Sequence, residues 1–137
     1  MFYDATTNQH GLRHDPFKAL IVPRPIGWIS TLSADGVLNL APYSFFNGVS
    51  VDPHIVMFAS AGRKDSLVNA EATGEFVCNF ASWNQRDQMN ASSATVGPEV
   101  DEFALAGLAT APSQTVKPPR VAGAPAHLEC VYLQTVP

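Results

Sequence analysis

Gly62-Arg63-Lys64-Asp65-Ser66-Leu67-Val68-Asn69-Ala70-Glu71-Ala72-Thr73-Gly74-Glu75-Phe76-Val77-Cys78-Asn79-Phe80 reads as an anion-binding turn, a short helix and a buried strand in unbroken succession. Asp65 or Ser66 is expected to cap the helix, whose first turn carries free backbone N–H groups. Gly74 stands where a left-handed residue would end it. Phe76 to Phe80 has the aromatic and β-branched content of a strand. Arg63 and Lys64 precede the helix start, where the helix dipole already favours a negative guest. Two cations, a hydroxyl and unpaired N–H groups within a few residues suit a phosphate. The same letters also describe a solvated basic turn before an ordinary surface helix, and the stretch alone does not decide between the two.

Working outward, the chain of 137 residues is one domain's worth, long enough to bury roughly 68% of its unfolded surface. Charged residues make up only 15%, against ~25% in an average domain, so much of the surface must be covered by its own layers or by a partner. Nine glycines and eleven prolines favour many turns and short strands. A net charge of −4 without a basic stripe argues against nucleic acid. No apolar run approaches the ~18 residues of a membrane span. The first ten residues have neither a basic nor an apolar region of the signal-peptide kind. Cys78 and Cys130 are far apart in strand-like surroundings, so reduced core thiols and a cytoplasmic setting are expected.

Residues 1–15 form a polar N-terminal arm. Pro23-Arg24-Pro25 forces an extended entry into a strand from Ile26 to Ser33. Asp35-Gly36 signals a hairpin, and Leu38 to Pro42 returns. Tyr43 to Val51 lacks helical periodicity. His54 to Ser60 follows as a third strand, whose continuous apolar run predicts burial on both faces. Trp83 to Ser93 suggests a polar helix, Glu99 to Phe103 an acidic turn of helix, Gly107 to Pro125 a loop, and Ala126 to Val136 a last strand. Five strands with two or three short helices predict a small β-barrel with helical excursions.

The stock catalytic motifs are missing. Gly48-Val49-Ser50-Val51-Asp52 fails the nucleophile elbow at its last residue. His10 and His14 have i,i+4 spacing, but Gly11 lies between them and no Glu follows His10. His54 and His127 read as ordinary strand histidines, and no Cys/His cluster has zinc spacing. No metal site and no catalytic side chain is expected. What remains suits a planar, phosphorylated ligand: hydroxyls at Ser30 and Thr31, an amide and aromatic walls in Asn39-Leu40-Ala41-Pro42-Tyr43-Ser44, and the cations Arg63 and Lys64 with Ser66. Ordinary strand surface and core account for the same residues one at a time.

Ile26-Gly27-Trp28-Ile29-Ser30-Thr31, the Asp-Gly hairpin, Asn39 to Asn47, Ser50-Val51-Asp52-Pro53, Arg63-Lys64-Asp65-Ser66 and then Asn69 with Gly74 to Asn79 occur in this order. No single piece is diagnostic, but six in register are hard to get by chance. The pattern resembles the flavin reductase-like family with an FMN-binding split barrel, relatives of the nitrilotriacetate monooxygenase reductase component and of flavoredoxin. It runs from about Phe17 to Phe80 and more weakly to the last strand. The resemblance implies a single domain over 1–137, mainly β with short helices. It also implies a homodimer with FMN near its interface, reduction of FMN by NAD(P)H, and a possible monooxygenase partner. A non-catalytic, flavoredoxin-like FMN electron carrier is the alternative, and an interaction domain without flavin is a third reading. By position, Ser30 and Thr31 would face the flavin or its ribityl chain. Asn39, Ala41, Tyr43, Ser44 and Phe46 would hold the isoalloxazine, and Ser60, Arg63, Lys64 and Ser66 the phosphate. Hydride chemistry on a flavin needs no poised nucleophile, which fits the missing catalytic dyad. Relatives continue into further strands and a helix beyond the point that corresponds to Pro137. The split barrel is therefore expected to be incomplete at the C-terminus, the chain being either a fragment or one whose remaining strands come from elsewhere.

Overall fold

A computed structural model describes residues 2–137. Its centre is a four-stranded antiparallel sheet in the order β2-β1-β5-β8, formed by β1 (Gly27–Leu32), β2 (Leu38–Tyr43), β5 (Glu75–Phe80) and β8 (Ala126–Val131). The β1–β2 hairpin closes as the Asp-Gly pair requires. Gly36 N donates to Ser33 O and Val37 N to Ser33 Oγ, the latter at 3.0 Å.

Both faces of this sheet are covered, which is why β1 is buried almost throughout. Alternation sends Ile29 and Thr31 to one face and Trp28 and Ser30 to the other. On the first face Ile29, Tyr43, Phe46, Phe76 and Cys78 pack with Ala70 of α2 (Asp65–Thr73) and with Val56 and Phe58. On the second, Trp28 and Leu40 meet Phe103 and Val121. These come from α4 (Glu102–Leu105) and from β7 (Arg120–Val121), which pairs with β6 (Thr110–Ala111). Helix α3 (Arg86–Ala91) adds Met89 to the same side. A separate short helix, α1 (Pro16–Leu20), has no buried residue.

Asn79 ties this second layer to the sheet. Its Nδ2 donates to Trp28 O at 2.9 Å and Ser30 Oγ at 3.1 Å. Its Oδ1 accepts from Val121 N at 2.8 Å and lies 2.9 Å from His127 Nδ1, so His127 carries its proton there. The Ser30 hydroxyl in turn donates to Pro119 O at 2.6 Å.

Several expectations are corrected. Phe46–Val51 is a strand, β3, and pairs with β4 (His54–Phe58) in a two-stranded sheet of its own. The β4 strand is not buried on both faces: its residues are half-buried or exposed, because a two-stranded ribbon has no second layer over it. Gly27 lets this ribbon approach the sheet, since a Cβ there would lie 2.5 Å from the Phe46 ring. The expected helix from Trp83 splits into a 3₁₀ turn over Trp83–Gln85 followed by α3. The last strand ends at Val131, and the loop before it contains the β6–β7 pair. The cap residue of α2 is Lys64, with Asp65 as the first helical residue and no side-chain cap. Gly74 does end α2 in the left-handed conformation, with φ of 77°. Among the described residues, no helix is long and apolar enough to cross a membrane.

Candidate functional site

Three segments converge at one end of the sheet around a cavity of about 450 Å³, within the size range of small-molecule sites. Residues of β2 and the turn after it form one wall, through Asn39, Ala41, Tyr43, Ser44 and Phe45. The loop before α2 and its first turn supply Arg63, Lys64, Asp65 and Ser66. The segment after α3 supplies Ser93, Thr95 and Val96, with Glu102 of α4 at its end.

Local chemistry fixes each wall. Asn39 Nδ2 donates to Ser66 Oγ at 2.9 Å, and Asn69 Nδ2 to Thr31 Oγ1 at 3.1 Å. Two amide–hydroxyl bonds thus lock α2 onto β1 and β2 and set where its N-terminus points. No side chain caps α2; Leu67 N already donates to Lys64 O, which leaves the N–H groups of Asp65 and Ser66 for a ligand. The far wall hangs on Trp28, whose Nε1 donates to Ser92 Oγ at 2.9 Å.

Two buried groups give the cavity its electrostatics. Tyr43 is 6% exposed, and its hydroxyl has no hydrogen-bond partner among the described residues. The Ser66 and Ser60 hydroxyls stand near it without closing a well-formed bond. Burial pushes the Tyr43 phenol up from its usual range; those hydroxyls act against the shift, and the charges of Asp65 and Glu102 add to it. Glu102 is 5% exposed, and its Oε2 accepts from Leu40 N at 3.1 Å. Burial raises its carboxyl above the ordinary value, the Leu40 N–H opposes this, and Asp65 and Asp101 reinforce it.

Of the residues singled out in the sequence, Asn39, Ala41, Tyr43, Ser44, Arg63, Lys64 and Ser66 come together on this cavity. Ser30, Thr31, Phe46 and Ser60 do not line it. Ser30 and Thr31 are fully buried and engaged with Pro119, Asn79 and Asn69. Phe46 belongs to the core, and the Ser60 hydroxyl donates to Gly62 O at 2.7 Å. Arg63 is not wholly free, since its Nη2 donates to Glu71 Oε2. Sequence reading missed Glu102 and the 92–98 segment. Asp101 caps α4 through bonds to Phe103 N and Ala104 N, and Glu102 and Phe103 beside it are both buried.

Residues 19–137 match the family described as flavin reductase like domain. The chain belongs to this family. Among curated relatives, a protein of Aquifex aeolicus is 43% identical over 123 residues, covering 86% of this chain and 63% of the relative. The chain spans 52–63% of the length of the first curated relatives it matches. Among solved structures of flavin reductase-like proteins, nitrilotriacetate monooxygenase component B from Bacillus cereus is 33% identical, with a TM-score of 0.83 over 96% of this chain and 67% of that one. The 2-nitrobenzoate 2-nitroreductase of Pseudomonas fluorescens is 26% identical, with a TM-score of 0.88 over 99% and 67%. Flavoredoxin of Desulfovibrio vulgaris shares the fold, with a TM-score of 0.81 at 19% identity over 94% and 68%. The flavin reductase-like fold thus has solved split-barrel neighbours, and the chain is mainly β with short helices, as the pattern implied.

Proposed function

We propose that this chain is the FMN-binding portion of an NAD(P)H-dependent flavin reductase, and that the cavity between β2 and the N-terminus of α2 holds the cofactor. The observation that carries the reading is the Tyr43 hydroxyl: a buried, unpartnered polar group in the wall of a cavity lined by both cations and aromatic side chains. A buried hydroxyl left unpaired costs about 1–3 kcal/mol, and a ligand acceptor would remove that cost. The donor set fits a flavin mononucleotide. Arg63, Lys64 and the free N–H groups of α2 suit the phosphate, while Asn39, Ala41, Tyr43, Ser44 and Phe45 suit a planar ring.

When bound, FMN supplies the redox chemistry by accepting hydride from NAD(P)H. The chain's own work is binding and orientation. The guanidinium of Arg63 presents a fork of donors to phosphate oxygens, Lys64 adds a point charge, and Tyr43 offers its proton from a dry wall. Asn39 and Ser66 contribute indirectly, by holding α2 on β2.

Homodimer formation and delivery of reduced flavin to a monooxygenase belong to the same proposal. Exposed Val49, Val51 and Met57 on the β3–β4 ribbon support association, and likeness to a monooxygenase component supports delivery. Ser30, Thr31, Phe46 and Ser60 are here assigned to the framework of the site.

Fluorescence titration with FMN and riboflavin tests the assignment. FMN binds the wild type more tightly than riboflavin. Arg63→Ala weakens FMN roughly ten- to a hundredfold, Lys64→Ala weakens it less, and exposed His54→Ala leaves it unchanged. Equal affinity for the two flavins rules out the phosphate site. Stopped-flow bleaching by NADH or NADPH, followed by filtration, then separates a reductase that releases reduced FMN from a carrier that keeps it.

A further inference from the structure

Arg63 carries much of the phosphate reading, yet its side chain is 66% exposed. A guanidinium on a flexible stem at the surface samples many rotamers, and binding must suppress them. What restrains it is a chain of hydrogen bonds that begins on the segment after β8. Arg63 Nη2 donates to Glu71 Oε2 at 2.6 Å. The other carboxylate oxygen of Glu71, Oε1, accepts from Thr135 Oγ1 at 2.8 Å. The Thr135 hydroxyl lies 2.8 Å from Tyr132 Oη, and Tyr132 N donates to Gly74 O at 2.8 Å.

Counting protons gives this chain a direction. Thr135 has one hydroxyl hydrogen and spends it on Glu71, so the Tyr132 phenol must be the donor to Thr135. Every side-chain donor therefore points toward the Glu71 carboxylate. Hydrogen bonds from Arg63 and then Thr135 hold that carboxyl below its ordinary range, and it stays ionised at neutral pH. The Tyr132 N–H bond anchors the far end on the same Gly74 that terminates α2. Glu71 lies on α2 and Gly74 ends it, so the chain ties Arg63 to the body of the helix whose N-terminus borders the cavity.

We infer that Glu71 is a positioning residue for Arg63, and that Tyr132 and Thr135, acting through Glu71, set how firmly the chain grips a ligand phosphate. The inference rests on the assignment of Arg63 to phosphate. A guanidinium has five N–H donors in a rigid fork. With one Nη2 hydrogen spent on Glu71, the other N–H groups of the guanidinium remain for phosphate oxygens, and Arg63 lines the cavity. A carboxylate this close also draws on the charge of Arg63, and that opposes anion binding. Orientation outweighs it here, because Glu71 is itself held by Thr135 and keeps its bond to Arg63 in one geometry, and ordering a long side chain is otherwise a cost of binding.

The test is a double-mutant cycle read by FMN and riboflavin affinity. Glu71→Ala weakens FMN about three- to tenfold, Thr135→Val weakens it less, and riboflavin is unaffected by either. On an Arg63→Ala background neither change alters FMN affinity, because the residue they position is gone. Unchanged or tighter FMN binding by Glu71→Ala overturns the inference, since Glu71 would then be idle or a competitor. A loss of the same size without Arg63 also overturns it, because Glu71 would be acting by another route. The underlying phosphate reading is judged separately, on the wild type alone. Equal wild-type affinity for FMN and riboflavin removes that reading, and the inference falls with it.

Discussion

Replacing Tyr43 by phenylalanine removes one oxygen and leaves the ring, which sits 4.9 Å from the Phe58 ring in the core layer between the sheet and the β3–β4 ribbon. In the free protein that oxygen is buried and without a partner. Leaving such a hydroxyl unpaired costs about 1–3 kcal/mol, and Phe does not incur it. The small void left in its place returns part of the gain, so a net stabilisation of about 1–2 kcal/mol is expected. For a chain of 137 residues the unfolding entropy near the midpoint is about 0.3 kcal/mol per kelvin, which makes the rise in melting temperature about 3–7 °C. Binding moves the other way. A lost hydrogen bond to the ligand is worth about 0.5–1.5 kcal/mol, so FMN affinity falls about two- to twelvefold. Thermal melts with and without FMN, together with a fluorescence titration, read both effects. A variant that melts lower than wild type and binds FMN equally well would refute the reasoning, since Tyr43 would then be a satisfied core residue.

Glu102 gives a pH signature. Its native pKa is raised above its unfolded value of about 4.5, so the native state holds its proton over a range where the unfolded state has lost it. Stability from this group is full below that unfolded value and is lost as pH rises through the native one. Glu102→Gln removes the loss, and the gap between variant and wild type in denaturation midpoints widens with rising pH; a gap that does not change with pH counts against the assignment. Asn79→Leu leaves Val121 N without its acceptor and Trp28 O and Ser30 Oγ without their donor. A loss of about 2–5 kcal/mol in chemical denaturation is expected, and a loss under about 1 kcal/mol would show that the network adds little.

The sequence was most legible where the signal was local. Gly74 needed only its own backbone preference to mark the end of α2, and the first strand and the Asp-Gly turn are readable within ten residues. Phe46–Val51 was not read as a strand because its pattern breaks at Gly48, where the β3–β4 register shifts. The exposure of β4 depends on which strands do not pair with it, and no residue of β4 carries that information. Lys64 rather than Asp65 or Ser66 stands at the cap position of α2, and the Ser66 hydroxyl instead bonds Asn39, 27 positions away. The intramolecular partners of Ser30 and Thr31, Pro119 and Asn69, were illegible for the same reason, since they lie far along the chain. Glu102 was hidden because an acidic turn ordinarily faces water, and only the tertiary position of Phe103 pulls this one in.

The bond from Leu40 N to Glu102 also determines where another polypeptide can attach. β2 is an outer strand of the four-stranded sheet, and an outer strand offers its unpaired amides to any extended segment that comes alongside. Here the carboxylate occupies the Leu40 amide and α4 packs beside β2, so that border cannot be extended by a further strand. Ladder growth is left to β8, the other outer strand of the sheet, or to the margins of the β3–β4 ribbon. One buried acid thus helps to shape a ligand cavity and also closes one border of the sheet to strand addition.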